Sequence, residues 1–194
     1  MKEILSCCVA CLAVLAGVSA PACAVLVMDP TTPTTLYASG IEAGVLLQPR
    51  VFKSTDGGAS WTALSLGLPE SESGSPAIVN CELAQLLIAP STPTTLYAQT
   101  PCWGGTLLQS TDGGAHWTVM HRGTRGVTWG VVVDPQTPTT LYAIEEIDGG
   151  VVRSTDGGKS WHPFARGLPP GRIVAIDPLT PTTLYYGGSV QWVL

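Results

Sequence analysis

The octet STDGGxxW occurs three times in this chain, at Ser54 to Trp61, Ser110 to Trp117 and Ser154 to Trp161. Each copy lies downstream of a segment of pattern (D/A)PxxPTTLY, and these segments begin at Asp29, Ala89 and Asp134, with a fourth at Asp177. Asp134 follows Ala89 by 45 residues and Asp177 follows Asp134 by 43, whereas the first interval is 60 and carries insertions. Self-similarity at a near-constant period means that one structural unit is copied along the chain, each copy burying its apolar faces against its neighbours.

A period in the low forties with several short strands per unit is the signature of propeller blades. Four strands can be read in each unit. Strand A is a short apolar run (Val25 to Met28, Leu86 to Ile88, Val131 to Val133, Ile173 to Ile176) stopped by a Pro that cannot donate to a ladder; it is expected to be buried and innermost. The PTT turn leads to strand B at LYA (Leu36 to Ala38, Leu96 to Ala98, Leu141 to Ala143, Leu184 to Tyr186), β-prone through its aromatic residue. Strand C is Val51 to Ser54, Leu107 to Ser110 and Val151 to Ser154, and strand D starts at the octet Trp. Between C and D the TDGG turn needs positive φ, which Gly adopts without steric cost. The expected fold is an all-β propeller of four-stranded antiparallel blades, with about three and a half blades encoded at approximately 25–68, 77–121, 127–168 and 172–194. By the spacing of the third unit a fourth octet would begin beyond Leu194, so an incomplete or open arc is expected, with self-association through the incomplete fourth blade.

The pattern Ser-x-Asp-x-Gly-x-x-Trp resembles the Asp-box, or bacterial neuraminidase repeat, of sialidases, xyloglucanase-type glycosidases, sortilin-type ectodomains and photosystem II assembly factors. The resemblance implies β-propeller hairpins and says little of activity, because these families share the hairpin and not a reaction. The matching positions are Ser54, Asp56, Gly58 and Trp61, then Ser110, Asp112, Gly114 and Trp117, then Ser154, Asp156, Gly158 and Trp161. Each Asp is expected to fold back onto backbone N–H groups of its turn, and each Trp to bury apolar area between strands. Three copies in identical hairpins imply three identical structural tasks, so these carboxylates are not read as catalytic.

Strand alternation sorts the connections onto two ends of the blades. The A–B turns and octets share one end; the B–C and D–A loops share the other. That second, irregular end holds the insertion Ser39 to Arg50, the linker Pro69 to Pro76, the loop Thr100 to Gly105 and the segment Glu145 to Gly150. Binding residues concentrate on loops held by a rigid scaffold, which makes Glu82, Trp103, Trp129, Glu145 and Glu146 the candidate ligand face. A glycosidase needs two carboxyls about 5 to 10 Å apart, and only Glu82, Glu145 and Glu146 sit on plausible central loops. The sialidase-type Phe/Tyr-Arg-Ile-Pro sequence is absent, no arginine triad can be assigned, and no GxSxG stands in the chain. His116, His121 and His162 lack metal-ligand spacing, so no metal or cofactor is expected.

Charge and cysteine usage bound the partners and the compartment. With 12% charged residues and net charge −5 the chain has no footprint for phosphate backbones, so nucleic acid is not an expected partner. From Ile4 to Met28 no residue is charged, and Ala20, Ala22 and Ala24 offer small-residue cleavage sites, so residues 1–24 are read as a signal peptide. The run is long enough to span a membrane, but Pro21 and the strand pattern from Val25 argue against a retained anchor. Cys23 as a lipid-modified residue is disfavoured by the absence of a bulky apolar residue three places earlier. The expected location is periplasmic or extracellular, and there Cys81 and Cys102 are expected to form a disulfide. The expected function is a non-catalytic binding or assembly scaffold for a protein or glycan, with a fragment or relative of a glycoside hydrolase as the alternative.

Overall fold

The computed structural model describes residues 25–41, 49–67, 83–100, 105–122, 127–145, 150–168 and 171–188. The regions 1–24 and 69–82, with Cys81, Glu82, Cys102, Trp103 and Glu146, lie outside the described residues. Among the described residues fourteen strands form. The first sheet holds β1 (Leu26–Met28), β2 (Leu36–Ile41), β3 (Pro49–Ser54) and β4 (Thr62–Leu64); the second holds β5 (Gln85–Ile88), β6 (Leu96–Thr100), β7 (Thr106–Ser110) and β8 (Thr118–Arg122). The third holds β9 (Val127–Val133), β10 (Leu141–Glu145), β11 (Val151–Ser154) and β12 (His162–Ala165), and the fourth pairs β13 (Gly171–Ile176) with β14 (Leu184–Gly188). Within each sheet, strands consecutive in sequence are neighbours and antiparallel, for example β1 with β2, β2 with β3 and β3 with β4.

The turn chemistry produces this order. Asp29 Oδ1 accepts the N–H groups of Thr31 (2.7 Å) and Thr32 (3.1 Å), and Asp134 and Asp177 do the same two and three residues downstream. These Asx turns reverse the chain before PTT. In the second sheet Ala89 replaces the Asp, and the turn is held by backbone alone, Thr92 N–H to Ala89 O at 3.1 Å. Both octet glycines take positive φ, 72° and 95° at Gly57 and Gly58, with near-identical values in the other two copies.

Several strand boundaries differ from the sequence expectation. Strand D starts one residue after the octet Trp, at Thr62, Thr118 and His162, because the Trp closes the turn by donating to the glycine carbonyl. Pairing of β2 with β3 continues through Ser39 with Val51, Gly40 with Arg50 and Ile41 with Pro49, so the first insertion shrinks to 42–48. The third sheet's first strand begins at Val127, which puts Trp129 in a strand rather than a loop. Gly130, at φ 72°, accommodates a register irregularity against β10 there. The main chain of Val131 beside it is satisfied by the Gln85 side chain, whose amide donates to Val131 O (2.8 Å) and accepts Val131 N–H (3.0 Å). One amide group thus does the work of a neighbouring strand between two sheets.

The first strands of successive sheets touch, β1 with β5, β5 with β9 and β9 with β13, so strand A is innermost as expected. It is not the most buried. Every residue of β6 is buried, and all but the last of β10, whereas β1 exposes Leu26 and Met28. β6 and β10 lie mid-sheet and are covered by a sheet on each side, whereas first strands are sheet edges. Both faces of a doubly covered strand must be apolar, and alternation divides the LYA residues between them. Tyr37 packs with Leu86, Leu96, Ala98 and Leu108 of the second sheet, Tyr97 with Val131, Leu141 and Ala143 of the third, and Tyr142 with Ile176, Leu184 and Tyr186 of the fourth. The Tyr of the first three sheets faces the following sheet, and the Leu and third residue of the last three face the preceding one.

Leu96 and Leu36 occupy the same repeat position, but Leu96 is sealed by the first sheet while Leu36 is half-buried. Leu96→Ala is expected to cost about 2–5 kcal/mol as a core truncation, and Leu36→Ala distinctly less. Chemical denaturation of the two variants checks the difference; equal losses would contradict the stacking order.

Candidate functional site

The regular end of the blades is a polar network repeated three times. Ser54 Oγ donates to Asp56 Oδ1 (2.7 Å) and accepts the Gly58 N–H (2.9 Å); Ser110 and Ser154 repeat both bonds at 2.8 and 2.9 Å, and at 2.8 and 2.8 Å. The same carboxylate oxygen accepts the N–H of Ser60 (2.9 Å), His116 (2.9 Å) or Ser160 (3.0 Å), and the second oxygen accepts that residue's side chain. His116 fills the place of a serine hydroxyl, its Nδ1 2.6 Å from Asp112 Oδ2. A carboxylate only accepts, so Nδ1 carries the proton. Each Trp Nε1 donates to the carbonyl of the second octet glycine at 3.0 to 3.1 Å. The first octet glycines bond back to the PTT turns, Gly57 N–H to Thr34 O at 2.9 Å and likewise in the next two sheets, which ties A–B turns and octets together at one end as expected.

These bonds decide the chemistry of the three carboxylates. The Ser60 hydroxyl on Asp56, the His116 backbone N–H on Asp112 and the Ser160 hydroxyl on Asp156 lead sets of donors that hold all three well below the usual carboxylate range. Hydrogen bonding to the charged form stabilises it. Such a group is a poor proton donor near neutral pH, and its oxygens already accept the bonds that close its own turn, as a structural acceptor does.

The octets also form the joints between blades, which reading the hairpin alone does not disclose. Tyr37 pairs across the sheet with Lys53, Tyr97 with Gln109 and Tyr142 with Arg153. Lys53 sits over the Tyr37 ring at 5.3 Å and its Nζ donates to Gly113 O of the next octet at 3.4 Å. Gln109 donates to the Tyr97 hydroxyl (2.7 Å), which donates to Pro138 O in the next PTT turn (2.9 Å). A Cβ at Gly113 would lie 3.3 Å from the Tyr37 hydroxyl, one at Gly157 3.3 Å from that of Tyr97, and one at Gly114 or Gly158 only 2.7 or 2.6 Å from Leu64 or Leu107 of the preceding sheet. The glycines therefore serve the turn and the seat of the neighbouring blade together. Trp117 and Trp161 add to these joints, each half-buried against the cluster shared with the preceding sheet.

Of the candidate ligand residues, two lie among the described ones. Trp129 in β9 pairs with Ile144 of β10, and Glu145, half-buried, is the last residue of β10 and pairs with Val127. The backbone thus brings Trp129 and Glu145 to the same end of two adjacent strands, opposite the octets. Glu82, Trp103, Glu146 and the Cys81–Cys102 pair fall outside the described residues. Among the described residues no group of three or more His, Cys, Asp or Glu is arranged to hold a metal ion.

No protein-family model and no curated protein matches the chain. Solved structures do. A GH74 enzyme from Niastella koreensis superposes with a TM-score of 0.58 at 24% identity, over 79% of this chain and 24% of that one. The GH74 xyloglucanase of Xanthomonas campestris gives 0.55 at 19%, over 79% and 25%, and YCF48 from Cyanidioschyzon merolae 0.54 at 14%, over 78% and 46%. The chain has the β-propeller fold. It spans about a quarter of the length of the GH74 enzymes it matches. At these identities the likeness establishes the propeller and leaves the activity open.

Two measurements check the octet network. Ser154→Ala leaves the Gly158 N–H of the propeller without its acceptor, and a loss of about 1–3 kcal/mol is expected in urea unfolding. The folded-state pKa values of the three Asp residues lie below their unfolded value of 3.8, so their contribution to stability is present above that value and is lost as pH falls through the folded one. The melting temperature is expected to hold steady down to about pH 5 and to drop below about pH 4, with a shallower drop in Asp156→Asn.

Proposed function

We propose that the octets are Asp-boxes and that the chain is an exported, non-catalytic propeller segment serving as a binding or assembly scaffold. The observation that carries this reading is the commitment of all three octet carboxylates to internal hydrogen bonds. In this reading they are structural, each closing its own hairpin. We place the ligand face at the opposite end, where the backbone brings Trp129 and Glu145 to the same end of adjacent strands and where Glu82, Trp103 and Glu146 are proposed to join them. An indole and carboxylates on one surface suit a sugar ring or a peptide, the indole covering an apolar face and the carboxylates accepting hydroxyl or amide protons.

The second reading is a fragment or relative of a glycoside hydrolase, favoured by the GH74 enzymes among the structural neighbours. It requires two of Glu82, Glu145 and Glu146 to reach glycosidase spacing. A glycan array run beside hydrolysis assays on xyloglucan and sialosides separates the readings. Binding without turnover supports the scaffold, and reproducible turnover abolished by Glu145→Gln establishes the enzyme. For the scaffold, Trp129→Ala is expected to weaken binding at least tenfold, on the scale of a lost aromatic contact, with an unchanged melting curve.

The proposed export also commits Cys81 and Cys102 to a disulfide. In the chain-entropy view a loop of this length stabilises by about 3 kcal/mol. Titration of the denatured, unreduced protein is expected to find neither thiol; two reactive thiols at these positions rule the bridge out.

A further inference from the structure

The three joints inside this propeller use one pair of faces, and the same pair is left uncovered at the two ends of the described arc. The face turned toward a preceding sheet carries Leu86 (1% exposed), Leu96 (0%) and Leu108 (0%) in the second sheet, and Val131 (0%) and Leu141 (0%) in the third. In the first sheet the corresponding residues are Leu26 and Leu36 with Met28 and Phe52, and here Leu26 is 47% and Met28 53% exposed. The glycine seat on this face is open as well. A Cβ at Gly57 would meet nothing within 4 Å and one at Gly58 only its own sheet's Leu36 and Trp61, whereas Gly113 and Gly157 are closed off by the preceding Tyr.

The opposite face shows the converse. Tyr37, Tyr97 and Tyr142 are 2%, 1% and 4% exposed, each seated against the next sheet. Tyr185 holds the same repeat position in β14, on the face away from the third sheet, and is 53% exposed, with Ala175 exposed beside it in pairing register. An empty glycine seat and an unseated tyrosine are the two halves of the joint the chain already builds twice, Tyr37 on Gly113 and Tyr97 on Gly157.

We propose that these faces dock between two copies of this chain, the Tyr185 face of one copy covering the Leu26, Met28, Leu36 and Phe52 face of the other, with Tyr185 directed to Gly57 and Gly58. The occupant is a second copy because the internal joints show that this sequence's own Tyr-bearing face is complementary to its own Gly-bearing face. The contact is head to tail, between unlike faces. Two copies related by a two-fold axis along the propeller axis form it twice and close a ring. Such a ring falls within the 4 to 8 blades at which propellers close. This interface is independent of any ligand at the irregular end.

The test is the oligomeric state of the purified full chain at micromolar concentration, read by light scattering. Two variants at exposed positions leave the internal joints intact: Leu26→Asp with Met28→Asp on one face, and Tyr185→Asp on the other. The wild type is expected to be a dimer, and each variant a monomer with a melting curve that stays cooperative. An equimolar mixture of the two variants keeps one intact joint, and a heterodimer is expected to form with a dissociation constant at least tenfold above that of the wild type. A monodisperse wild-type monomer overturns the proposal and points to cover by residues 1–24 or to faces that need none. Variants that remain dimeric overturn it by placing the interface elsewhere. Failure of the mixture to associate shows like faces meeting like, which also overturns it.

Discussion

Everything in this molecule depends on sheets stacking face against face. A four-stranded sheet with two apolar faces has no stable existence alone, because each face exposes leucine, valine and tyrosine to water unless another sheet covers it. The repeat solves this by division of labour along LYA. Leu and the third residue look back, Tyr looks forward, and the cross-strand Lys53, Gln109 and Arg153 keep polar or charged tips beside the tyrosine ring. Hydrophobic burial supplies the driving force. The hydroxyl and amide contacts, such as Gln109 to Tyr97 to Pro138 O, fix the angle at which one sheet meets the next.

The octet is where the local and the long-range demands coincide. Its Ser and Asp tie a tight turn together from within, its Trp braces the turn by donating to a glycine carbonyl, and its two glycines hold a backbone shape that side chains resist. Those glycines also admit the neighbouring sheet, Leu107 against Gly158 and Leu64 against Gly114. A motif that reads as one hairpin therefore encodes a contact between successive units of the repeat. That double duty explains why both glycines recur in each copy, although a single left-handed residue suffices for many turns.

Much of the fold was legible in the sequence because period, turn residues and strand alternation are local signals. The PTT and TDGG turns mark the strand ends nearest them, and strands B and C begin or end there as read. The far ends were less legible. Ser39, Gly40 and Ile41 look like loop composition, yet they continue a ladder because β3 offers partners as far as Pro49. Trp129 lies in a strand because Gly130 absorbs a register irregularity and Gln85 supplies the main-chain bonds, a side-chain substitution for backbone pairing that no strand pattern announces. The burial of strand A was overestimated from its apolar character, since position within the sheet, edge or middle, sets cover. Of the candidate ligand residues, Trp129 and Glu145 lie at the same end of two neighbouring strands, but the sequence could not register the joint made by Tyr37 with Gly113, because nothing local distinguishes a tyrosine that anchors a neighbour from one that fills its own sheet.

The invariance of the joint bears on how such a chain can change length. Because every unit presents the same back and the same front, the unit beginning at Ala89 and the one beginning at Asp134 are interchangeable at their borders. Removing or duplicating one whole period leaves a Tyr-bearing front against a Gly-bearing back, so the new boundary keeps the main apolar contact and loses only bonds particular to one joint, such as Gln85 to Val131. Removing half a period does not, since it sets two fronts or two backs together. Gene rearrangements in steps of one repeat are accordingly the changes that this architecture absorbs, and blade number can drift while the seam stays constant.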